Sequence, residues 1–250
     1  MNVIKSLYII IFAFFSVTFC IAQDSLKFTK KMLTTELNVN LLQGQLNLNN
    51  AINQIKFRYK YTEQIALRIA FSFNTYKNEF SQHTSYGINP IDNINTKKRT
   101  TLSLNLGAER HLAGTKRLSP YFGAEIAFGL KRSSNIIENT TSKTTVDGAW
   151  QNIEYSASGY QSNLSMSYEE PGYTSIGLNF IAGFDFYLAK HIYCGYELMY
   201  SFRYQKNAPI STDYVPKDGS TSVTTYPDVK GSQFEMGPQL INGIRIGFVF

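Results

Sequence analysis

Apolar and polar residues alternate along most of the chain with a period of two, the spacing of a β-strand with one apolar face. The clearest stretch is Ile65-Ala66-Leu67-Arg68-Ile69-Ala70-Phe71-Ser72-Phe73-Asn74, where odd positions are large and apolar and even positions small or polar. The pattern recurs at Leu102, Leu104 and Leu106, at Phe122, Ile126 and Phe128, at Leu178, Phe180, Ala182, Phe184 and Phe186, and at Ile244, Ile246, Phe248 and Phe250. Weaker versions occupy Leu37, Val39 and Leu41, then Ile55, Phe57 and Tyr59, then Cys194, Tyr196, Leu198, Tyr200 and Phe202. Eight strands are predicted over 33–42, 55–61, 65–76, 99–112, 120–132, 174–188, 192–205 and 239–250.

The polar face of these strands is charged. Lys56, Arg58, Lys60, Arg68, Arg203 and Arg245 share it with Glu36, Glu109, Glu125, Asp185, Glu197 and Glu235. A soluble sandwich would hide its apolar faces and solvate such charges. A narrow closed sheet in lipid would turn the apolar faces outward and let the charges neutralise one another inside, and eight strands enclose an interior that side chains fill. Glycines on the same face, among them Gly107, Gly123, Gly183, Gly195 and Gly247, fit crowding there. The expected lumen ion network is Lys56, Arg58, Arg68, Glu109, Glu125, Asp185, Glu197, Arg203 and Arg245. Filled in this way it reads as a structural plug rather than the lining of a pore.

Connection lengths agree with this reading. The connections 43–54, 77–98, 133–173 and 206–239 are long, those at 62–64, 113–119 and 189–191 are short, and the two kinds alternate. This is the arrangement of a transmembrane barrel with short periplasmic turns and long extracellular loops. Aromatics are expected as interface girdles, with Tyr59, Tyr61, Tyr121, Tyr193 and Phe250 at the short-turn end and Phe71, Phe73, Tyr76, Tyr200, Phe202 and Tyr204 at the other. Gly237-Pro238 is expected at the outer rim of the last strand or in a bulge.

The start of the chain adds a location. Lys5, an apolar run over 7–19 and Ala22 before the expected cut form a secretory signal peptide, 1–22, ahead of a barrel domain at 23–250. The apolar run is too short for a bilayer-spanning helix, and cleavage removes Cys20, leaving Cys194 with no disulfide partner. The net charge of +6 comes from scattered residues, which excludes a nucleic-acid arm.

The ending Gly243-Ile244-Arg245-Ile246-Gly247-Phe248-Val249-Phe250 resembles the closing strand of Gram-negative outer-membrane β-barrel proteins, and with the signal peptide and eight strands the chain is similar to small porin-family or OmpA-like barrels. The resemblance spans the expected mature chain, from about residue 34 to 250. It implies an all-β, eight-stranded antiparallel up-and-down barrel, seated among outer-membrane lipids, with Phe248 and Phe250 as a signal read by the barrel assembly machinery. With Phe250 as the last residue, the peptidoglycan-binding domain that some relatives carry after the barrel is not expected here.

Candidate chemistry is sparse. His83 in 80–85 has neighbouring hydroxyls and is the only histidine placed for surface catalysis, whereas His111 and His191 fall beside short turns. Neither metal-ligand spacing nor a phosphate-binding glycine loop is present in the sequence, so no cofactor is expected. Trp150 is read as a pin that folds the longest loop. The sequence supports a monomeric structural or surface-interaction protein without catalysis, whose long loops offer an extracellular ligand a surface. The alternatives are a narrow pore for small solutes or ions and a surface lipid-modifying enzyme.

Overall fold

A computed structural model describes residues 26–39, 52–84, 91–158, 161–227, 230–240 and 244–250, and all regular elements among them are strands. The expected signal peptide and Gly243 lie outside the described residues, as does most of the first long connection.

Eight antiparallel positions close into a ring. In order these are β1 (Leu33–Val39), β2 (Ile52–Lys60), β3 (Ile65–Thr84), β4 (Ile91–His111), β5 (Leu118–Glu138), β9 (Tyr173–Ala189), β10 (Ile192–Asn207) and a last position shared by β13 (Ser232–Leu240) and β14 (Ile244–Val249). β10 pairs with both segments of that last position, and β14 closes on β1 with Thr34 opposite Val249 and Val39 opposite Ile244. Both ends of the ring-forming chain meet at the short-turn side, where Phe250 N donates to Leu33 O at 2.8 Å.

The remaining strands build outward from the long connections. β6 (Ser142–Asp147) pairs with the outer part of β5, β11 (Ser211–Pro216) pairs with β6, and β12 (Val223–Thr225) pairs with β11. β7 (Trp150–Ser158) and β8 (Gln161–Glu169) form a separate hairpin. Three stretches expected as loops are therefore largely strand. His83 sits in β3, with Asp92 opposite it in β4, and not in a loop. The apolar residues of these segments do not recur at every second position, so the period-two signal misses them, although Val146, Ala149 and Ile210 form a small buried cluster there. Gly237 and Pro238 lie within β13, which pairs only with β10 among the described residues, an edge position where a missing N–H is tolerated.

Polarity is inverted relative to a soluble fold. Phe73, Ile126, Leu178, Phe180 and Ile246 are exposed on the outside of the ring, whereas Glu36, Lys56, Arg58, Glu109, Glu125, Asp185, Glu197 and Arg245 are each at most 2% exposed. Register explains how large polar side chains fit. Tyr193 faces Gly247 across the β10–β14 ladder, and Tyr121 faces Gly183 across β5–β9. A Cβ at Gly247 would strike the Tyr193 ring, and one at Gly183 would lie 2.5 Å from Tyr121 Oη. Tyr121 and Tyr193 are thus lumen residues, a correction to the expected girdle, since Phe122 takes the outward position beside Tyr121. Tyr59, Tyr61 and Phe250 do face outward at that end.

Candidate functional site

The interior of the ring holds one connected ion network. Lys56 Nζ bridges Glu36 Oε1 at 2.9 Å and Glu197 Oε1 at 3.0 Å. Arg58 Nη1 reaches Glu109 Oε1 at 2.7 Å and Asp185 Oδ2 at 2.9 Å. Arg68 spans Glu109 and Glu125 at 3.0 Å each and Glu197 at 2.9 Å. Arg245 donates from Nη1 to Glu36 Oε2 at 2.9 Å and from Nη2 to Asp185 Oδ1 at 3.0 Å. Four cations thus link five carboxylates, drawn from β1, β2, β3, β4, β5, β9, β10 and β14.

Neutral donors add hydrogen bonds to three of the carboxylates. Tyr121 Oη donates to Glu197 Oε2 at 2.7 Å and Tyr193 Oη to Glu36 Oε2 at 3.0 Å. Asn105 and Asn179 both donate to Glu125 Oε1, at 3.1 and 3.2 Å. The guanidinium of Arg58 lies 5.0 Å from the Tyr193 ring centroid and that of Arg245 lies 5.3 Å from Tyr121. Charges buried this deeply persist when pairing and hydrogen bonding compensate their desolvation.

Of the nine residues expected in this network, Arg203 stands apart. It lies six positions beyond Glu197 on β10, near the outer mouth, where it pairs with Glu235 and both side chains are about two-fifths exposed. Lys60, buried at the opposite end, directs Nζ over the Phe28 ring at 4.8 Å. Phe28 belongs to a segment ahead of β1 that covers the short-turn mouth. It is 3% exposed, clusters with Ala66, Tyr187, Tyr193 and Val249, and meets His111 edge-on at 6.0 Å. The alternation pattern carries no signal for this cap, because Phe28 precedes the first strand.

His111 joins two groups that sequence reasoning left separate. Its Nδ1 lies 2.8 Å from Ser119 Oγ and its Nε2 lies 3.0 Å from Glu109 Oε1, so a hydroxyl, an imidazole and a carboxylate stand in line. All three are buried, and Glu109 already accepts hydrogen bonds from Arg58 and Arg68. The carboxylate is committed to the ion network, and a substrate has no access to the hydroxyl. At the other candidate, His83 lies on an exposed strand. Among the described residues no group of three His, Cys, Asp or Glu could hold a metal.

The outer mouth carries a second polar centre. Glu170, at a left-handed φ of 50°, accepts a hydrogen bond from Arg99 at 3.1 Å and another from Lys131. The Lys131 hydrogen bond, followed by the nearby positive charges, holds the Glu170 carboxyl below its ordinary range despite the opposing effect of burial. Trp150 Nε1 donates to Lys98 O at 2.8 Å, and its ring packs 5.9 Å from Tyr76. Trp150 thus fastens the β7–β8 hairpin to the rim of β3 and β4.

A family model described as "Putative OmpA-OmpF-like porin family" matches residues 41–224. A search of curated proteins gives no match.

Proposed function

Because the chain belongs to the OmpA-OmpF-like porin family, we propose that it is an outer-membrane β-barrel protein with a structural or surface-interaction role and no catalysis. The observation that carries this reading is the inverted polarity of the ring, apolar outside and ion-paired within. Lipid hydrocarbon solvates the outer face, and ring closure satisfies the backbone groups that hydrocarbon cannot. A signal peptide at 1–22 directs the chain across the inner membrane, the short turns face the periplasm, and the β6–β8 and β11–β12 extensions face outward. The lumen network acts as a plug. Exposed Phe248 and Phe250 on the closing strand serve the assembly machinery as its recognition signal.

Refolding into neutral phosphatidylcholine vesicles tests the membrane reading, with a heat-modifiable gel band as the sign of a closed barrel. Leu178→Arg, in the outward face of β9, should lower folding by about 2–4 kcal/mol, the cost of a cation near the bilayer midplane. The same change at Tyr226, an exposed outer residue, should leave folding intact. Folding of the unsubstituted chain into a water-soluble form with no vesicle association would overturn the proposal.

A further inference from the structure

Charge is divided unevenly between the two ends of the ring. Outside the lumen network, the outer stretches 76–99, 131–173 and 203–239 carry eleven Lys and Arg and eleven Asp and Glu. The short-turn stretches 24–32, 60–64, 110–119 and 189–191 carry eight Lys and Arg and two acids, Glu63 and Asp24, of which Asp24 precedes the described residues. The excess of cations thus belongs to the short-turn stretches. Outer cations also meet acids: Lys77 pairs with Glu79, Arg99 and Lys131 with Glu170, Arg203 with Glu235 and Lys217 with Glu138. At the short-turn end Lys30, Lys31, Arg110, Lys116 and Lys190 are exposed, and among the described residues none of them forms an ion pair. Several border the apolar belt. Lys190, in the β9–β10 turn, stands two residues from exposed Leu188 and two from exposed Ile192. Arg110 lies opposite Ile65 of β3 and Phe122 of β5, both exposed, and two residues from exposed Leu112. Lys31 is two residues ahead of exposed Leu33, and its N donates to Lys60 O at the end of β2 at 2.9 Å. These positions fall beside β1 and β2, β4 and β5, and β9 and β10, so the cations are spread round the ring.

We propose that the short-turn end docks on anionic phospholipid headgroups of the leaflet beside it. The inference rests on the membrane reading above and adds a lipid class to it. Headgroup phosphates take charge-assisted hydrogen bonds from ammonium and guanidinium groups, and every Lys or Arg held near an anionic lipid surface adds to the attraction. Long side chains rooted at the edge of the hydrocarbon carry their charge out to the headgroups. Cations spread round the circumference, beside side chains that face acyl chains, meet headgroups before they meet a soluble polyanion, so the occupant is a lipid. The outer end, with its cations matched by acids, has no such preference.

The test is lipid retention by the protein folded in neutral detergent, read by native mass spectrometry with phosphatidylglycerol and phosphatidylcholine as probes. Phosphatidylglycerol should be retained in preference, and Arg110→Gln/Lys116→Gln/Lys190→Gln should weaken its binding by roughly tenfold or more. Lys98→Gln/Arg132→Gln/Lys143→Gln, which removes the same charge from exposed outer positions, should leave binding unchanged. Equal loss in the two triple variants would reduce the effect to net charge and overturn the proposal. So would unchanged binding in the short-turn variant, or full displacement of phosphatidylglycerol by equimolar poly-glutamate, which would make the end face a site for a soluble polymer. A measurement without substitutions stands beside these. Washing the parent protein at about 0.5 M salt, which screens charges beyond a few ångströms, should release phosphatidylglycerol, and retention unaffected by salt would also overturn the proposal. Every variant is first checked for heat-modifiability. Folding into neutral phosphatidylcholine vesicles tests the membrane reading separately, and a chain that folds there yet shows no preference for phosphatidylglycerol loses this inference alone.

Discussion

Arg245 shows how much one residue carries. It holds Glu36 and Asp185 by direct hydrogen bonds and stands 3.7 Å from Glu197, so its removal leaves buried carboxylates short of their cation. Arg245→Met should cost about 3–5 kcal/mol of stability, the range for breaking a buried pair from one side, read as a lower urea midpoint for the detergent-folded protein. A midpoint within error of the parent would show that the network contributes nothing to stability. The same parity argument that places Arg245 inside places Lys56, Arg58, Arg68, Glu36, Glu109, Glu125, Asp185 and Glu197 there, so most of the cluster is legible from alternation alone. Tyr121 and Tyr193 have the same inward parity as Glu125 and Glu197, but as aromatics they are expected in the girdle; the register, with a glycine opposite each, shows how the lumen holds them. Arg203 has the right parity and the wrong height, and height along the strand is invisible to a period-two pattern.

At the scale of elements, the two mouths of the ring are covered by different means. The inner mouth is capped by Phe28, whose segment is tied to β2 by hydrogen bonds from Lys31 N to Lys60 O at 2.9 Å and from Lys60 N to Met32 O at 3.0 Å. Phe28→Ala should cost about 3 kcal/mol in unfolding free energy while the heat-modifiable band persists. A stability equal to the parent's would show that the cap is not packed. At the outer mouth, Trp150 and Glu170 hold the extensions. Trp150→Ala should speed proteolysis within 148–172 and leave the ring strands protected, and cleavage at the parental rate would deny the pin. The depressed Glu170 pKa gives this region a pH dependence with a definite sign. Its stabilising contribution is fully present above the ordinary carboxylate value of 4.5 and is lost as pH falls through the lower folded value. Hydrogen exchange in 148–172 should therefore rise, relative to the ring strands, as the solution is acidified below that range, and Glu170→Gln should abolish the dependence. The outer strands themselves were hidden from sequence reasoning because Ser- and Thr-rich segments such as Ser142–Asp147 carry no regular apolar alternation, and the one buried apolar side chain there, Val146, clusters with Ala149 and Ile210 from other segments.

For the whole molecule, closure organises everything else. β1 pairing with β14 brings the two ends of the ring together, turns eight apolar faces outward and leaves the charged faces nowhere to go but into contact with one another. The eight positions of the ring and the polarity of their faces were readable in advance because each follows from local pattern, whereas three of the connections expected as long loops are largely strand. The cap and the outer sheet depend on which distant segments meet, and no local pattern encodes that. The central claim is that the closed ring lies in a membrane and is plugged by its own ion pairs. Planar-bilayer conductance of the folded, heat-modifiable protein tests it most directly. A folded barrel that inserts and stays electrically silent is the predicted result. Steady single-channel steps that change on Arg68→Ala or Glu125→Ala would contradict it and make the same network the lining of a pore.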